Sequence, residues 1–177
     1  MTLRIPKWLL LSLGALIALA AVGLGVWYFA IRDTGPTQAE LREQEMARER
    51  AKARRLAREC RDQTDELMAA IDDLAGRLQG LGLSYADYGA EVGDASSAYQ
   101  ALGVGRMKFE CLSNVGAPLE RSLNSYIQAG NVWGDCFEDF DCDVDSIDPQ
   151  LQDHWAKAGV AASQAKRGLS SMLAVAN

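Results

Sequence analysis

The longest hydrophobic feature of the chain is an uncharged run of 24 residues from Trp8 to Ile31. Lys7 precedes this run, and Arg32 and Asp33 follow it. A helix rises about 1.5 Å per residue, so the run covers roughly 36 Å, which exceeds a bilayer hydrocarbon core of about 30 Å. We therefore predict a transmembrane signal-anchor helix over residues 8–31, after a short N-terminal tail of residues 1–7.

A cleaved signal peptide is the alternative interpretation of the same run. The tripeptide Ala18-Leu19-Ala20 has the small-x-small form of a processing site. The apolar run, however, continues for eleven residues beyond Ala20, whereas the apolar region of a signal peptide spans about 7–15 residues in total. This length favours an anchor that is retained.

Small residues also recur along one face of the predicted membrane helix. Gly14, Ala18, Ala21 and Gly25 are separated by four, three and four positions, a pattern that lets two transmembrane helices approach closely and form a homodimer. Because 9 of the 24 residues in the run are Gly, Ala or Ser, composition alone also produces such a stripe.

Residues 32–58 predict a linker and a stalk helix. Thr37 and Glu40 have the spacing of a capping box, in which each residue bonds the backbone N–H of the other. The sequence from there to Leu81 contains no proline and consists of good helix formers. Its first half is polar nearly all round, which predicts a solvated helix.

Residues 59–177 predict a bundle domain, because their apolar residues recur at spacings of three and four, the period of one buried helix face. Four stripes follow this pattern: Cys60, Leu67, Ile71, Leu74, Leu78 and Leu81; Tyr85, Tyr88, Val92, Ala95, Tyr99 and Leu102; Leu119, Leu123, Tyr126, Gly130, Trp133 and Phe137; Leu151, Trp155, Ala158, Ala162, Ala165, Leu169 and Met172. We predict an all-α fold, with an antiparallel bundle of about four helices and strand content near zero.

Glycine and proline predict where these helices end. Gly103 breaks the second helix, and Gly116 with Pro118 separates a short helical segment from the third. Asp148 followed by Pro149 predicts the start of the last helix, with the aspartate as N-cap and the proline at the first helical position.

Charge is distributed unevenly along the chain and excludes one class of partner. Residues 1–61 carry 11 basic and 6 acidic side chains, and residues 62–177 carry 7 basic and 18 acidic ones. Binding to nucleic acid requires a basic surface. The acidic body therefore predicts no nucleic-acid partner.

The four cysteines predict two disulfide bonds. Cys136 and Cys142 flank the loop before the last helix, and Cys60 with Cys111 is then the second pair, although four cysteines allow three pairings. Zinc is the alternative, but no two of these cysteines have the close ligand spacing that zinc sites use. An even number of cysteines in a small domain is typical of an oxidising compartment.

The orientation in the membrane depends mainly on these cysteines. Basic residues flank both ends of the predicted anchor, so the positive-inside rule hardly distinguishes the two orientations. We expect a single-pass protein of the inner (plasma) membrane, with its body in the periplasm or extracytoplasmic space.

An acidic loop before the last helix is the candidate binding site. Residues 135–148 contain seven carboxylates and no basic residue. Asp139, Asp141, Asp143 and Asp145 alternate as the ligands of a calcium loop do, but Val144 and Gln150 stand where an EF-hand has glycine and glutamate. The interpretations are a solvated loop, a weak calcium site or a surface for a basic protein.

No motif for a hydrolase, a nucleotide-binding loop or a zinc peptidase occurs in the sequence. We therefore predict a non-enzymatic, membrane-tethered interaction or structural protein that presents an extracytoplasmic bundle to a protein partner. An inhibitor or immunity-type protein and a component of an envelope complex both fit this description. The alternative is a bundle that senses a small ligand or a divalent cation.

Overall fold

The computed structural model describes residue 24 and residues 26–28, 36–80 and 83–175. The chain divides into two compact units, Met1–Ala47 and Arg48–Asn177. Most of the predicted anchor, residues 8–31, lies outside the described residues. None of the described helices is both long enough and apolar enough to cross a membrane.

The first unit contains the predicted capping box. The Thr37 backbone N–H donates a hydrogen bond to Glu40 Oε2 at 2.6 Å, and the Glu40 N–H donates to Thr37 Oγ1 at 3.2 Å. These bonds satisfy two backbone donors that a helix start leaves without intrahelical partners. The sequence prediction of this helix start is confirmed.

The described part of the second unit is all-helical, as predicted, and contains no strand. We number the α-helices in chain order as α1 (Gln38–Gln79), α2 (Tyr85–Ala101), α3 (Phe109–Cys111), α4 (Ala117–Glu138) and α5 (Val144–Val175); α1 begins in the first unit and continues through the second. A 3₁₀ turn at Val104–Arg106 precedes α3, and a π-helical turn at Leu112–Gly116 joins α3 to α4.

Contacts between the helices show that neighbours run antiparallel. Arg77 of α1 pairs with Glu91 of α2 at 2.9 Å, and Asp72 of α1 pairs with Lys166 of α5 at 2.7 Å. The second half of α1 therefore lies beside the first half of α2 and beside Lys166 of α5, while the earlier residues Ala53 and Leu56 line one cavity with Met172 and Val175 near the end of α5. The loop between α4 and α5 and the start of α2 share one end of the bundle, opposite residues 53–60.

The core contains the stripes that the sequence predicted. Leu67, Ile71 and Leu74 from α1 are fully buried and belong to one cluster with residues of the other helices. Alanines of α2 and α5 are also buried in this cluster: Ala95, Ala98, Ala158, Ala162 and Ala165. The core thus combines large aliphatic and aromatic side chains with small ones.

The Cys60–Cys111 disulfide links α1 to α3 at the end of the bundle opposite the α4–α5 loop. Their Cα atoms are 5.5 Å apart, and both side chains are 1% exposed. The second bond joins Cys136 and Cys142. The predicted pairing is confirmed, and all four cysteines of the sequence are used.

The predicted break at Gly116 and Pro118 is wrong, because the helical path continues through both residues. Pro118 has no backbone N–H to donate to the carbonyl of Asn114, and its ring would clash with that carbonyl in a regular helix. The chain forms a π turn instead, in which the Ala117 N–H donates to the Leu112 carbonyl. The helix thereby passes the proline without ending.

The predicted start of the last helix at Asp148 is also wrong. Helix α5 begins at Val144, so Pro149 lies within its second turn. The Asp145 N–H donates to Asp143 Oδ1 at 3.1 Å, which makes Asp143 the cap. Ile147 and Leu151 are both buried, and this earlier start places them on the core-facing side of the helix. Burial of Ile147 therefore explains why the helix begins before Pro149 and not at it.

Gly168 of α5 lies where the π turn approaches this helix. A Cβ atom at Gly168 would overlap the backbone carbonyl oxygen of Asn114, whereas a Cβ at Gly159 of the same helix would meet nothing within 4 Å. The carbonyl that Pro118 leaves without a helical donor therefore occupies the space above Gly168.

We expect Gly168→Ala to lower the free energy of unfolding by roughly 1–3 kcal/mol, because a backbone atom has to move. The matched variant Gly159→Ala should raise it by about 0.5–1 kcal/mol, since alanine restricts the unfolded chain without a clash. Urea denaturation monitored by circular dichroism measures both. Equal effects of the two substitutions would contradict this packing.

Candidate interaction surface

The loop between α4 and α5 forms a tight turn at the end of the bundle. Helix α4 ends at Glu138, and the Cys142 N–H donates to the Asp139 carbonyl at 3.1 Å, so residues 139–142 form a β-turn. The Cys136–Cys142 disulfide closes this turn against the last turn of α4. The acidic loop is therefore shorter than the predicted span of residues 135–148, because both helices extend into it.

The four candidate carboxylates have two different local roles. Asp139 Oδ1 accepts a hydrogen bond from the Asp141 N–H at 3.1 Å, and Asp143 Oδ1 accepts one from the Asp145 N–H at the same distance. Asp139 and Asp143 thus stabilise the turn and the start of α5. Asp141 and Asp145 are exposed on the same segment. The negative charge of Asp145 also interacts favourably with the positive end of the helix dipole at the N-terminus of α5.

The predicted calcium site is not assembled from these residues as a cluster. Within the described ranges, no group of three or more His, Cys, Asp or Glu side chains is arranged to hold a metal ion. Two of the four candidate carboxylates instead bond backbone N–H groups of their own turn. Calcium binding stays a prediction.

Phe140 lies at the centre of the turn and is fully exposed to solvent. The hydrophobic pattern of the sequence does not single it out, because it belongs to no helical stripe. Phe137, which the third stripe predicted to be buried, is 62% exposed as well. Among the described residues its one ring contact is with Tyr85 at the start of α2, and this leaves most of its surface in solvent. Two phenyl rings therefore stand among the carboxylates.

The Phe137 ring packs against an aromatic cluster that continues into the core. The Phe137 ring centroid lies 5.0 Å from that of Tyr85, which lies 5.9 Å from that of Trp133. Trp133 in turn contacts Tyr88 and Trp155 at centroid distances of 5.7 and 6.2 Å. The α4–α5 end of the bundle is therefore supported by rigid aromatic side chains from three helices.

Glycines on α4 make room for this cluster. A Cβ at Gly134 would lie 2.6 Å from the Tyr85 hydroxyl oxygen, and a Cβ at Gly130 would lie 3.3 Å from Tyr88 Cε1. Gly130 was predicted as part of a buried stripe, but its role is to admit the tyrosine ring of another helix.

Tyr88 anchors the cluster through two hydrogen bonds. Its hydroxyl donates to the backbone carbonyl of Tyr126 at 2.7 Å and accepts from Trp155 Nε1 at 3.2 Å. Burial raises the pKa of Tyr88 well above its usual value. Burial also raises the pKa of Tyr126, and the nearby negative charge of Asp72 adds to this shift.

A surface cavity of about 260 Å³ adjoins the Cys136–Cys142 disulfide. Two carboxylates and two apolar side chains contribute to its wall. Its lining comprises Val132, Asp135, Cys136, Asp139, Cys142, Ile147 and Gln150. The turn thus offers a fully exposed ring, and the same disulfide borders an acidic cavity.

Comparisons of this chain with family models, curated proteins and solved structures yield no match.

The two disulfides should contribute unequally to stability. In the chain-entropy treatment, a bond between cysteines 51 residues apart is worth about 4 kcal/mol and one between cysteines 6 apart about 2 kcal/mol. We expect Cys60→Ala/Cys111→Ala to lower the urea midpoint more than Cys136→Ala/Cys142→Ala does. The reverse order would contradict the role of the long-range bond as the main covalent constraint on the bundle.

Tyr88→Phe should lower the free energy of unfolding by about 1–3 kcal/mol, because it leaves a carbonyl and an indole N–H without their partner. Tyr85→Phe, at the partly exposed edge of the cluster, is the control and should change it by less than about 0.5 kcal/mol.

The same variant should change the dependence of stability on pH. A raised pKa in the folded state means that the unfolded chain loses its tyrosine proton first, at about pH 10. The contribution of the Tyr88 phenol to the free energy of unfolding is therefore fully present below about pH 10 and decreases as the pH rises above it. The free energy of unfolding of the Tyr88→Phe variant should therefore decrease less steeply than that of the parent chain between about pH 10 and 11. An unchanged slope would contradict a buried neutral phenol at this position.

Proposed function

We propose that this chain is a non-enzymatic, membrane-tethered interaction protein of the cell envelope. Residues 8–31 hold it in the membrane, and its helical bundle faces a protein partner outside the cytoplasm. The observation that carries this proposal is the disulfide-closed turn with the exposed Phe140 at one end of the bundle.

The tether is supported by the uncharged run and by its few described residues. Leu24, Val26, Trp27 and Tyr28 are helical, and their side chains are 59–66% exposed. A helix that exposes large apolar side chains in water is unfavourable, whereas the same helix is favourable in lipid. Trp27 and Tyr28 near the end of the run suit the membrane interface.

A location outside the cytoplasm is supported by the cysteines. All four are paired in two disulfides, and such bonds persist in oxidising compartments and are rare in the cytosol. The bond at the α4–α5 turn is the informative one, because Cys142 is only partly buried and hence open to cellular reductants.

A role in protein binding is supported by the surface at this end of the bundle. Exposed aromatic side chains at a rigid position are typical of the residues that contribute most to protein interfaces. The turn is held by a disulfide and by its own hydrogen bonds, so binding would order few groups.

The tether and the orientation are tested together on the full chain in spheroplasts. A membrane-impermeant maleimide should label the cysteines only after reduction, and Cys142 should react before the almost fully buried Cys60. The chain should also remain in the membrane fraction after carbonate extraction. The variant Cys136→Ala/Cys142→Ala identifies the label at the turn. Labelling without reduction, and only after lysis, would contradict the proposed orientation.

A further inference from the structure

We propose that the surface formed by Phe140 and the acidic cavity beside the Cys136–Cys142 disulfide docks a basic protein surface. The partner would cover the Phe140 ring with an apolar pocket and place a lysine or arginine side chain in the cavity. This inference rests on the proposed function, and names the chemistry of the partner.

The first argument is the exposure of Phe140 in a fixed backbone. The ring lies between Asp139 and Asp141 in a turn that the disulfide and the Cys142–Asp139 hydrogen bond hold. A phenyl ring on a rigid turn gains its full hydrophobic contribution when a partner covers it, because little chain entropy is lost.

The second argument is the chemistry of the cavity. Asp135 and Asp139 provide carboxylates, and Val132 and Ile147 provide apolar wall. A lysine or arginine side chain combines a charged head with an apolar stem, so it matches both parts of this lining. The volume of about 260 Å³ is large enough for one such side chain.

The third argument is charge complementarity over the whole surface. Residues 135–148 carry seven carboxylates and no basic side chain. Anionic lipid and nucleic acid would both be repelled. A basic protein surface would be attracted, and its association would weaken at high salt.

The test uses the full chain in its own membrane, with a photoreactive residue at one of three exposed positions. Phe140→p-benzoylphenylalanine probes the proposed surface, Phe109→p-benzoylphenylalanine the opposite end of the bundle, and Val160→p-benzoylphenylalanine the outer face of α5. All three side chains are more than half exposed, so each variant should fold. Mass spectrometry identifies the adduct and the partner segment that forms it.

A charge-reversal pair then tests the electrostatic part. Asp135→Lys/Asp141→Lys changes the surface without touching Asp139 and Asp143, whose carboxylates hold the turn. The matched control Asp65→Lys/Asp94→Lys makes the same change in net charge at exposed positions of α1 and α2.

We expect an adduct at Phe140 with a segment of net positive charge, lost on reversal at residues 135 and 141 and retained in the control. With the purified partner, reversal should weaken binding by at least about tenfold, and so should an increase in salt from about 0.05 to 0.5 M.

Three outcomes would overturn the inference. Adducts at Phe109 or Val160 without one at Phe140 would refute this surface but leave the proposed function standing. The partner chemistry would be refuted by an adduct at Phe140 with lipid, with a second copy of the chain or with a segment that is not basic. It would also be refuted if charge reversal at residues 135 and 141 changed neither the adduct nor the binding. No adduct at any of the three positions would count against both proposals.

Discussion

The Tyr88 hydroxyl is the buried polar group on which the arrangement of three helices depends. It belongs to α2, donates to a backbone carbonyl of α4 and accepts from an indole of α5. A buried hydroxyl without partners is strongly unfavourable, so the relative positions of the helices are restricted to those that satisfy it. Gly130 belongs to the same constraint, since a side chain there would press on the Tyr88 ring.

A chain of aromatic contacts that starts at Tyr88 connects the core to the surface. Trp133 packs against Tyr88 and Trp155 and also against Tyr85, and Tyr85 packs against the exposed Phe137. The aromatic cluster therefore reaches the surface at Phe137, three residues before Phe140. At the opposite end, the Cys60–Cys111 bond and the close approach of Asn114 to Gly168 hold the bundle together.

The disulfide-closed turn combines features that folding alone does not require. The carboxylates of Asp139 and Asp143 accept the backbone hydrogen bonds that shape the turn and cap α5. Neither the exposed Phe140 ring nor the exposed Asp141 carboxylate contributes to packing. Groups that stabilise no part of the fold are the natural candidates for binding, and this is why the proposals concentrate on this end of the bundle.

The sequence by itself determined the elements whose causes are local. The period of three and four places Leu67, Ile71 and Leu74 in the core, and the capping box starts α1 at the predicted place. Spacing and stripe position also favoured the observed cysteine pairing among the three possible ones. Each of these depends on residues within a few turns of one another or on the common rule that one helix face is buried.

Only the tertiary structure decided the features that depend on contacts between helices. Pro149 is an acceptable helix start, but burial of Ile147 and the cap at Asp143 move that start to Val144. Pro118 is a plausible break, but the chain passes it with a π turn, and the Asn114 carbonyl of this turn lies against Gly168. Phe137 fits a buried stripe, yet its packing against Tyr85 leaves it 62% exposed. In each case, packing against neighbouring helices overrides the helix boundary or the burial that the local sequence favours.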